Sequence, residues 1–420
     1  MAAESEKKAP LLTPTLKLFM VAMVLANISG GMHGALLPLY IEELGATIAQ
    51  IGMVFTVASI VPLLLQILGG WISDSIGRLR TIAIGSVGGL IGYTGLWLAP
   101  TWQWAMVAMG VAMTAFPLVG PSFQSFIADE SNEENRGRVF GITTTIFMII
   151  GVVGPPLGGY LSQNYGFKTM FAVAVSLYGL AVILRFWMAG RARRTTEAEA
   201  KPLTFQSLRT DLKVIAGLLS AGGLVTWIFI SDGISDIAFR LTGSLTPLYQ
   251  EGIGGLTVFQ IGILGTIQAV TMMICNTPSG WLSDKYGERV GISAGFILFT
   301  AAFLVFLPAE TFWGYAAAWI LFGIGASLLN PAYNSLVSKA VPEDKRGLAY
   351  GFFSTSVGLI SLPAPWIGAH LWEKFSPQTP FLVTAAASIA IGIIAWFKLR
   401  LPVETKTQVE PITKAGLPAE

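Results

Sequence analysis

The sequence is short of charge. Only 12% of its 420 residues are Asp, Glu, Lys or Arg, against 53% hydrophobic, where a soluble domain carries about 25% charged residues. With a mean hydropathy of +0.65, the chain holds more apolar surface than a water-soluble core can hide, so it is an integral membrane protein. Cysteine is nearly missing. Cys275 stands alone in an apolar segment, which excludes an internal disulfide and gives no redox signal. Histidine occurs only as His33 and His370, and no residues have metal-ligand spacing. There is no phosphate loop and no nucleophile elbow, so neither a cofactor nor an enzymatic reaction is expected. The net charge of +2 gives no sign of a nucleic-acid partner.

What the chain has instead is long apolar runs. A spanning helix needs about 20 apolar residues, and twelve such segments can be drawn. Six lie near 15–41, 47–72, 80–99, 103–127, 138–161 and 168–190. Six more lie near 217–249, 257–282, 290–308, 312–338, 347–371 and 379–397. The first run follows Lys7, Lys8 and Lys17, and is too long for a cleaved secretory signal. The expected organisation is a cytoplasmic tail (1–14), a six-helix bundle (15–190), a cytoplasmic linker (191–216), a second bundle (217–397) and a cytoplasmic tail (398–420). The linker is charged, and its part from Thr204 on has the character of a surface amphipathic helix. With both termini in the cytoplasm, all but Lys168, Lys374 and Arg240 of the 26 basic residues fall in cytoplasmic segments or helix ends, a strong positive-inside bias.

The two halves repeat. GGWISDSIGRLR (Gly69–Arg80) is nearly copied as SGWLSDKYGERV (Ser279–Val290), with Asp74 and Asp284 210 residues apart. Gln50-Ile51-Gly52 matches Gln260-Ile261-Gly262, Gly120-Pro121 matches Asn330-Pro331, and Pro155 and Gly158 match Pro365 and Gly368 at the same offset. In the first span of each half the offset is 209, and Pro38-Leu39-Tyr40 meets Pro247-Leu248-Tyr249. A constant offset over several landmarks indicates internal duplication.

Asp232, Asp236 and Arg240 interrupt the seventh span at i, i+4 and i+8, on one helix face. A charge near the middle of a span costs about 2.5–3.5 kcal/mol even on the lenient insertion scale. Two functional states are open. Asp236 and Arg240 pair and stay ionised, or Asp232 or Asp236 is desolvated and carries a proton. The structural alternative is a buried ion pair that only fixes the seventh span against its neighbours.

Two six-helix halves joined by a basic linker, with the Gly-Asp-Gly-Arg loop in each, resemble the major facilitator superfamily. Gly70, Asp74, Gly77 and Arg78 match its loop pattern, Ser75 departs from it, and Arg80 stands next to the last basic position. The second copy keeps Gly280, Asp284, Lys285, Gly287 and Arg289, with Glu288 as a departure. The resemblance implies an all-α membrane fold of twelve helices in two pseudo-symmetric bundles. It also implies that these loop residues form a conformational latch, with Asp129 as partner for Arg78 or Arg80. The alternative is that they are solvated charges obeying the positive-inside rule. In the fifth span GVVGPPLGG, with Gly151, Gly154, Pro155, Gly158 and Gly159, resembles the family's antiporter signature. It reads equally as a kinked, tightly packed helix. LLPLYIEELGAT (Leu36–Thr47) is similar to efflux members of the superfamily. Those members usually carry an arginine in the fourth span where this chain has Met106.

In the superfamily the first, fourth, seventh and tenth helices of the chain line a central cavity. The resemblance therefore points to Asn27 and His33, to Met109, Met113, Phe116 and Gln124, and to Asn330, Tyr333 and Asn334. Asn27 is the repeat counterpart of Asp236. The expected function is alternating-access transport in a prokaryotic plasma membrane by a monomer, with the lipid bilayer, protons and a small molecule as partners. Proton-coupled efflux of an apolar or amphipathic compound leads, with Asp236, Asp232 and Arg240 coupling. Symport or facilitated movement of an organic anion bound by Arg240 is the alternative.

Overall fold

Helix ends are written locally and twice. Thr47 and Gln50 form a reciprocal capping box, and so do Thr257 and Gln260, each satisfying two backbone donors that a helix start leaves open. Gly77 and Gly287, with φ of 93° and 88°, sit immediately before the helices that follow the repeated loops, a conformation that excludes most other residues.

The computed structural model describes residues 12–66, 76–131, 135–191, 223–340 and 356–400. The N-terminal half holds α1 (Pro14–His33, continued by Leu37–Glu43), α2 (Ile48–Ala58, then residues 60–66) and α3 (Arg78–Trp97). It continues with α4 (Trp102–Met113 and Ala115–Asp129), α5 (Arg136–Tyr165) and α6 (Phe167–Arg191). The C-terminal half holds α7 (Leu224–Gly243, then Thr246–Gly252), α8 (Val258–Tyr286) and α9 (Glu288–Phe306). It ends with α10 (Phe312–Ala340), α11 (residues 356–361, then Ala364–Lys374) and α12 (Thr379–Lys398). No strand occurs among the described residues. Nine of the described helices are long and apolar enough to cross a bilayer. The other three expected positions are the glycine-rich α3, α7 with its three charges, and α11. Residues 1–11 and 401–420 of the tails, the linker from residue 192 on, Gly70 and Asp74 lie outside the described residues.

Packing repeats as the sequence does. A Cβ on Gly158 of α5 would sit 1.8 Å from the carbonyl oxygen of Met32 on α1, and one on Gly368 of α11 would sit 2.0 Å from that of Leu241 on α7. Both approaches require glycine. Across the halves, Gly52 of α2 lies against Pro365 of α11 and Gly262 of α8 against Pro155 of α5, each within 2.6 Å of a carbonyl oxygen for an added Cβ. The Ala49 N–H donates to Glu373 at 2.8 Å and the Phe259 N–H to Gln163 at 3.1 Å. These are again repeat-related positions. The contacts gather toward the ends of the helices opposite the chain termini, so the halves are closed there. α5 runs as one helix through Pro155 and Pro156, whereas α11 is broken at residues 362–363.

At that closed end, Leu37–Glu43 touches Thr246–Gly252 and brings Glu42 and Glu43 toward Glu251. Burial and the field of Glu42 and Glu43 push Glu251 above the usual carboxylate range. Ile48–Ala58, Trp102–Met113 and the first turns of α8, which pack on these segments, bring no positive charge, while Ala364–Lys374, packed on Tyr249 through Trp372, carries His370 and Lys374. A carboxyl whose proton is held more tightly in the closed form favours closure in acid, and that contribution fades as pH rises through its raised pKa.

Two outcomes are expected. Spin-label distances between the loops at residues 44–47 and 253–256 shorten in acid, and Glu251→Gln flattens that response; a separation indifferent to pH contradicts the assignment. Gly158→Ala and Gly368→Ala each cost about 1–3 kcal/mol through forced overpacking, read as a lower unfolding temperature in detergent, whereas unaltered melting would mean that the helices do not approach this closely.

Candidate substrate cavity and coupling residues

Charge within α7 has to be compensated, because an isolated ion in a span is costly. Arg240 Nε meets Asp236 Oδ2 at 2.7 Å, one helical turn apart, with both side chains still partly exposed. Ser361 of α11, fully buried, donates its hydroxyl to the same carboxylate oxygen. Asp236 is thus held from two helices.

Asp232, one turn earlier, does something else. It lines a cavity of about 630 Å³ between α7, α8, α9 and α10. Aromatic rings form a large part of its wall. Phe239 meets Phe299 edge-on at 4.8 Å, Phe303 meets Phe322 at 4.9 Å, and Trp319 meets Phe322 at 5.9 Å. Phe296 and Tyr333 complete the wall, and Gln268, Asn330 and Asn334 add amides. The Trp319 indole N–H is buried with no protein partner. No lysine or arginine is among the lining residues. An aromatic chamber holding one carboxylate suits an apolar body with a positive group, through ring stacking, cation–π attraction and charge pairing.

The related positions of the N-terminal half carry different side chains. Phe239, Phe296, Phe299 and Phe303 correspond to Gly30, Ser86, Gly89 and Tyr93. The space is filled from α6 and from α1. Tyr178 packs on Gly89, where a Cβ would sit 2.3 Å from its hydroxyl. Arg185, 2% exposed, donates to Ser86 and Met23. Arg185 therefore lies inside the bundle, although the positive-inside reading counts it with the cytoplasmic helix ends.

The expected cavity residues separate accordingly. Asn330, Tyr333 and Asn334 line the cavity. His33 does not: it is buried against Tyr93 and Phe171, with ring centroids 4.6 and 5.5 Å away, and its Nδ1 lies 2.9 Å from the Gly30 carbonyl. Met109 is buried in the core at 2% exposure. Asn27 donates to the Met23 carbonyl of its own helix at 2.8 Å. Met113 is half-buried against the core, while Phe116 and Gln124 are exposed. None of these six lines the described cavity. The alternation of apolar residues along a helix does not say which face turns inward when all faces are apolar.

The loop residues show a charge reversal. Arg78 Nε lies 3.6 Å from Asp129 Oδ2. Glu288 and Lys339, at the repeat-related positions, form the same pair with opposite signs, and Ser335 donates to Glu288 at 2.8 Å. Glu288, a departure from the family pattern, is thus matched by its partner. Lys285 lies over the Trp281 ring at 4.8 Å and Arg289 over Trp396 at 5.2 Å. Arg80, Asp284 and Lys285 are exposed.

Comparison with known proteins places this geometry. The Major Facilitator Superfamily model matches residues 19–255 and 228–419. A multi-drug resistance efflux pump PmrA homolog of Lactococcus lactis is 26% identical over 378 residues, covering 87% of this chain and 89% of that protein. The multidrug resistance protein MdtG of Dickeya zeae is 23% identical, covering 87% and 89%. Among solved structures, a mutant form of the nucleoside transporter NupG superposes with a TM-score of 0.76 at 16% identity, over 91% of this chain and all of that one. A peptide transporter POT gives 0.71 at 14% identity, over 90% and 93%. With the model matched across both halves, the chain belongs to the Major Facilitator Superfamily and is a multi-pass membrane transporter of that fold.

Proposed function

We propose that this transporter exports amphipathic compounds, preferentially those carrying a positive charge, in exchange for protons. The observation that carries the reading is the aromatic cavity with Asp232 as its lone ionisable carboxylate and no basic side chain in its wall. A cation and a proton compete for such a carboxylate, which is the minimum that antiport requires. The relatives named as multidrug efflux pumps agree with this direction. The nucleoside and peptide transporters share the fold alone. An organic anion bound by Arg240 has less support, because Arg240 is engaged by Asp236 and does not line the cavity.

The cycle follows from alternating access. With the termini in the cytoplasm, the closed end faces outward and the cavity is loaded from inside. Substrate displaces the proton from Asp232, the halves reopen outward, and an outside proton displaces the substrate. Asp236 and Arg240 stay paired while Asp236 is ionised, and a proton on Asp236 loosens the pair. The repeated loops, with Arg78–Asp129 and Glu288–Lys339 bracing them, act as latches at the cytoplasmic face.

Asp232→Asn in proteoliposomes is expected to weaken tetraphenylphosphonium binding at least about tenfold, an interaction of about 1.4 kcal/mol or more, while a neutral aromatic compound binds as before. Equal loss for both would point to a damaged cavity. Asp236→Asn is expected to abolish transport driven by a pH gradient and leave the protein folded, as judged by its melting temperature. Unchanged gradient-driven transport in that variant would remove Asp236 from the coupling scheme.

A further inference from the structure

Ser361 was invisible in the sequence and has no role in the cavity. It occupies the last helical position of α11 before the turn at residues 362–363. Pro363 and Pro365 follow, and neither supplies a backbone N–H. Beyond the turn, the outer segment Ala364–Lys374 is anchored. Gly368 lies against α7, Pro365 against Gly52 of α2, and Glu373 accepts from Ala49. The inner segment, residues 356–361, holds to α7 through Ser361.

We propose that Ser361 is a positioning residue that transmits the charge state of Asp236 to the break in α11. The proposal rests on the proton-coupled reading of the transporter. A serine has one hydroxyl proton to donate. Here it is within reach of Asp236 Oδ2, of the Val357 carbonyl at 2.8 Å and of the Gly358 carbonyl at 3.4 Å. Bonding across to α7 therefore competes with bonding back into its own helix. The ionised carboxylate, which also accepts from Arg240 on the same oxygen, draws the hydroxyl across. A proton added to Asp236 removes the charge. The hydroxyl then returns to Val357, and the inner segment of α11 is released from α7.

The repeat provides the comparison. Asn27 stands at the Asp236 position and Gly151 at the Ser361 position. Asn27 bonds within its own helix, glycine offers no side chain, and α5 there is unbroken. The fold thus builds the same junction without this link, and the half with the link is the half with the broken helix.

Among the described residues, other ionisable groups around Asp236 are few. On α7 they are Asp232 and Arg240, with Tyr249 and Glu251 in its outer segment. The described part of α11 has only His370, Glu373 and Lys374, all beyond the break, α12 has only Lys398 at its end, and α10 brings Tyr315, Tyr333 and Lys339.

The test places spin labels at Leu64→Cys and Leu359→Cys, both exposed positions, with Cys275→Ser and Glu251→Gln to remove the native thiol and the outer acidic response. Distances are measured in proteoliposomes from about pH 5 to about pH 9, and tetraphenylphosphonium transport is followed on the unlabelled protein. The expected result is a pH-dependent distance whose midpoint moves alkaline by about one pH unit in Ser361→Ala, because a bond to the ionised form has been lost. Ser361→Thr restores the original midpoint, and the pH profile of transport moves with the distance. A distance that ignores pH, a midpoint unmoved in Ser361→Ala, or no rescue by threonine overturns the proposal. A pH-dependent, Ser361-dependent distance alongside transport that moves no protons would refute the antiport reading and leave the link standing.

Discussion

A carboxylate in the middle of a membrane span has to be paired, hydrated or neutral. Asp236 meets that requirement with Arg240 on its own helix and Ser361 on α11. Much of the C-terminal half is arranged around this compensation. It keeps Arg240 out of the cavity, leaves Asp232 as the cavity's carboxylate, and ties α11 to α7 beside a break. The membrane removes water as an alternative partner, so changing one protonation state changes which protein groups bond to each other.

The duplication makes the molecule its own control. Features present in both halves belong to the fold: the capping boxes, the glycines that let α1 meet α5 and α7 meet α11, and the exchanged contacts of α2 with α11 and α8 with α5. Ion pairs at the repeated loops are also common to both, with inverted polarity. Features present once mark specialisation. One half has an aromatic chamber with a carboxylate, and the other fills the related space with Tyr178, Arg185 and His33. That division gives two bundles of the same design with the described cavity in one of them.

Much of this was legible before any coordinates. Low charge and long apolar runs set the class, and the 210-residue offset set the pseudo-symmetry. The i, i+4 spacing offered the Asp236–Arg240 pair as one of two states, and Asp129, expected to meet Arg78 or Arg80, meets Arg78. The side-chain directions were not legible. His33 and Met109 sit on helices apolar on every face, and periodicity is silent there. The aromatic wall does leave a signal in the sequence. At the repeat offset, Phe239, Phe296 and Phe299 replace Gly30, Ser86 and Gly89, and large-for-small exchanges of this kind mark where two halves of a duplicated chain diverge. Ser361 left no signal, since a serine in a membrane helix usually bonds to its own backbone.

The central claim is that proton and substrate compete for one carboxylate in the C-terminal half. The most direct measurement is proton release from the purified, weakly buffered transporter as tetraphenylphosphonium is titrated in, near the pH at which the site is half protonated. The account predicts release of about half a proton per cation bound at that pH, rising toward about one in more acid solution, and no release in Asp232→Asn. Cation binding with no proton released, or release that survives the loss of Asp232, would contradict it.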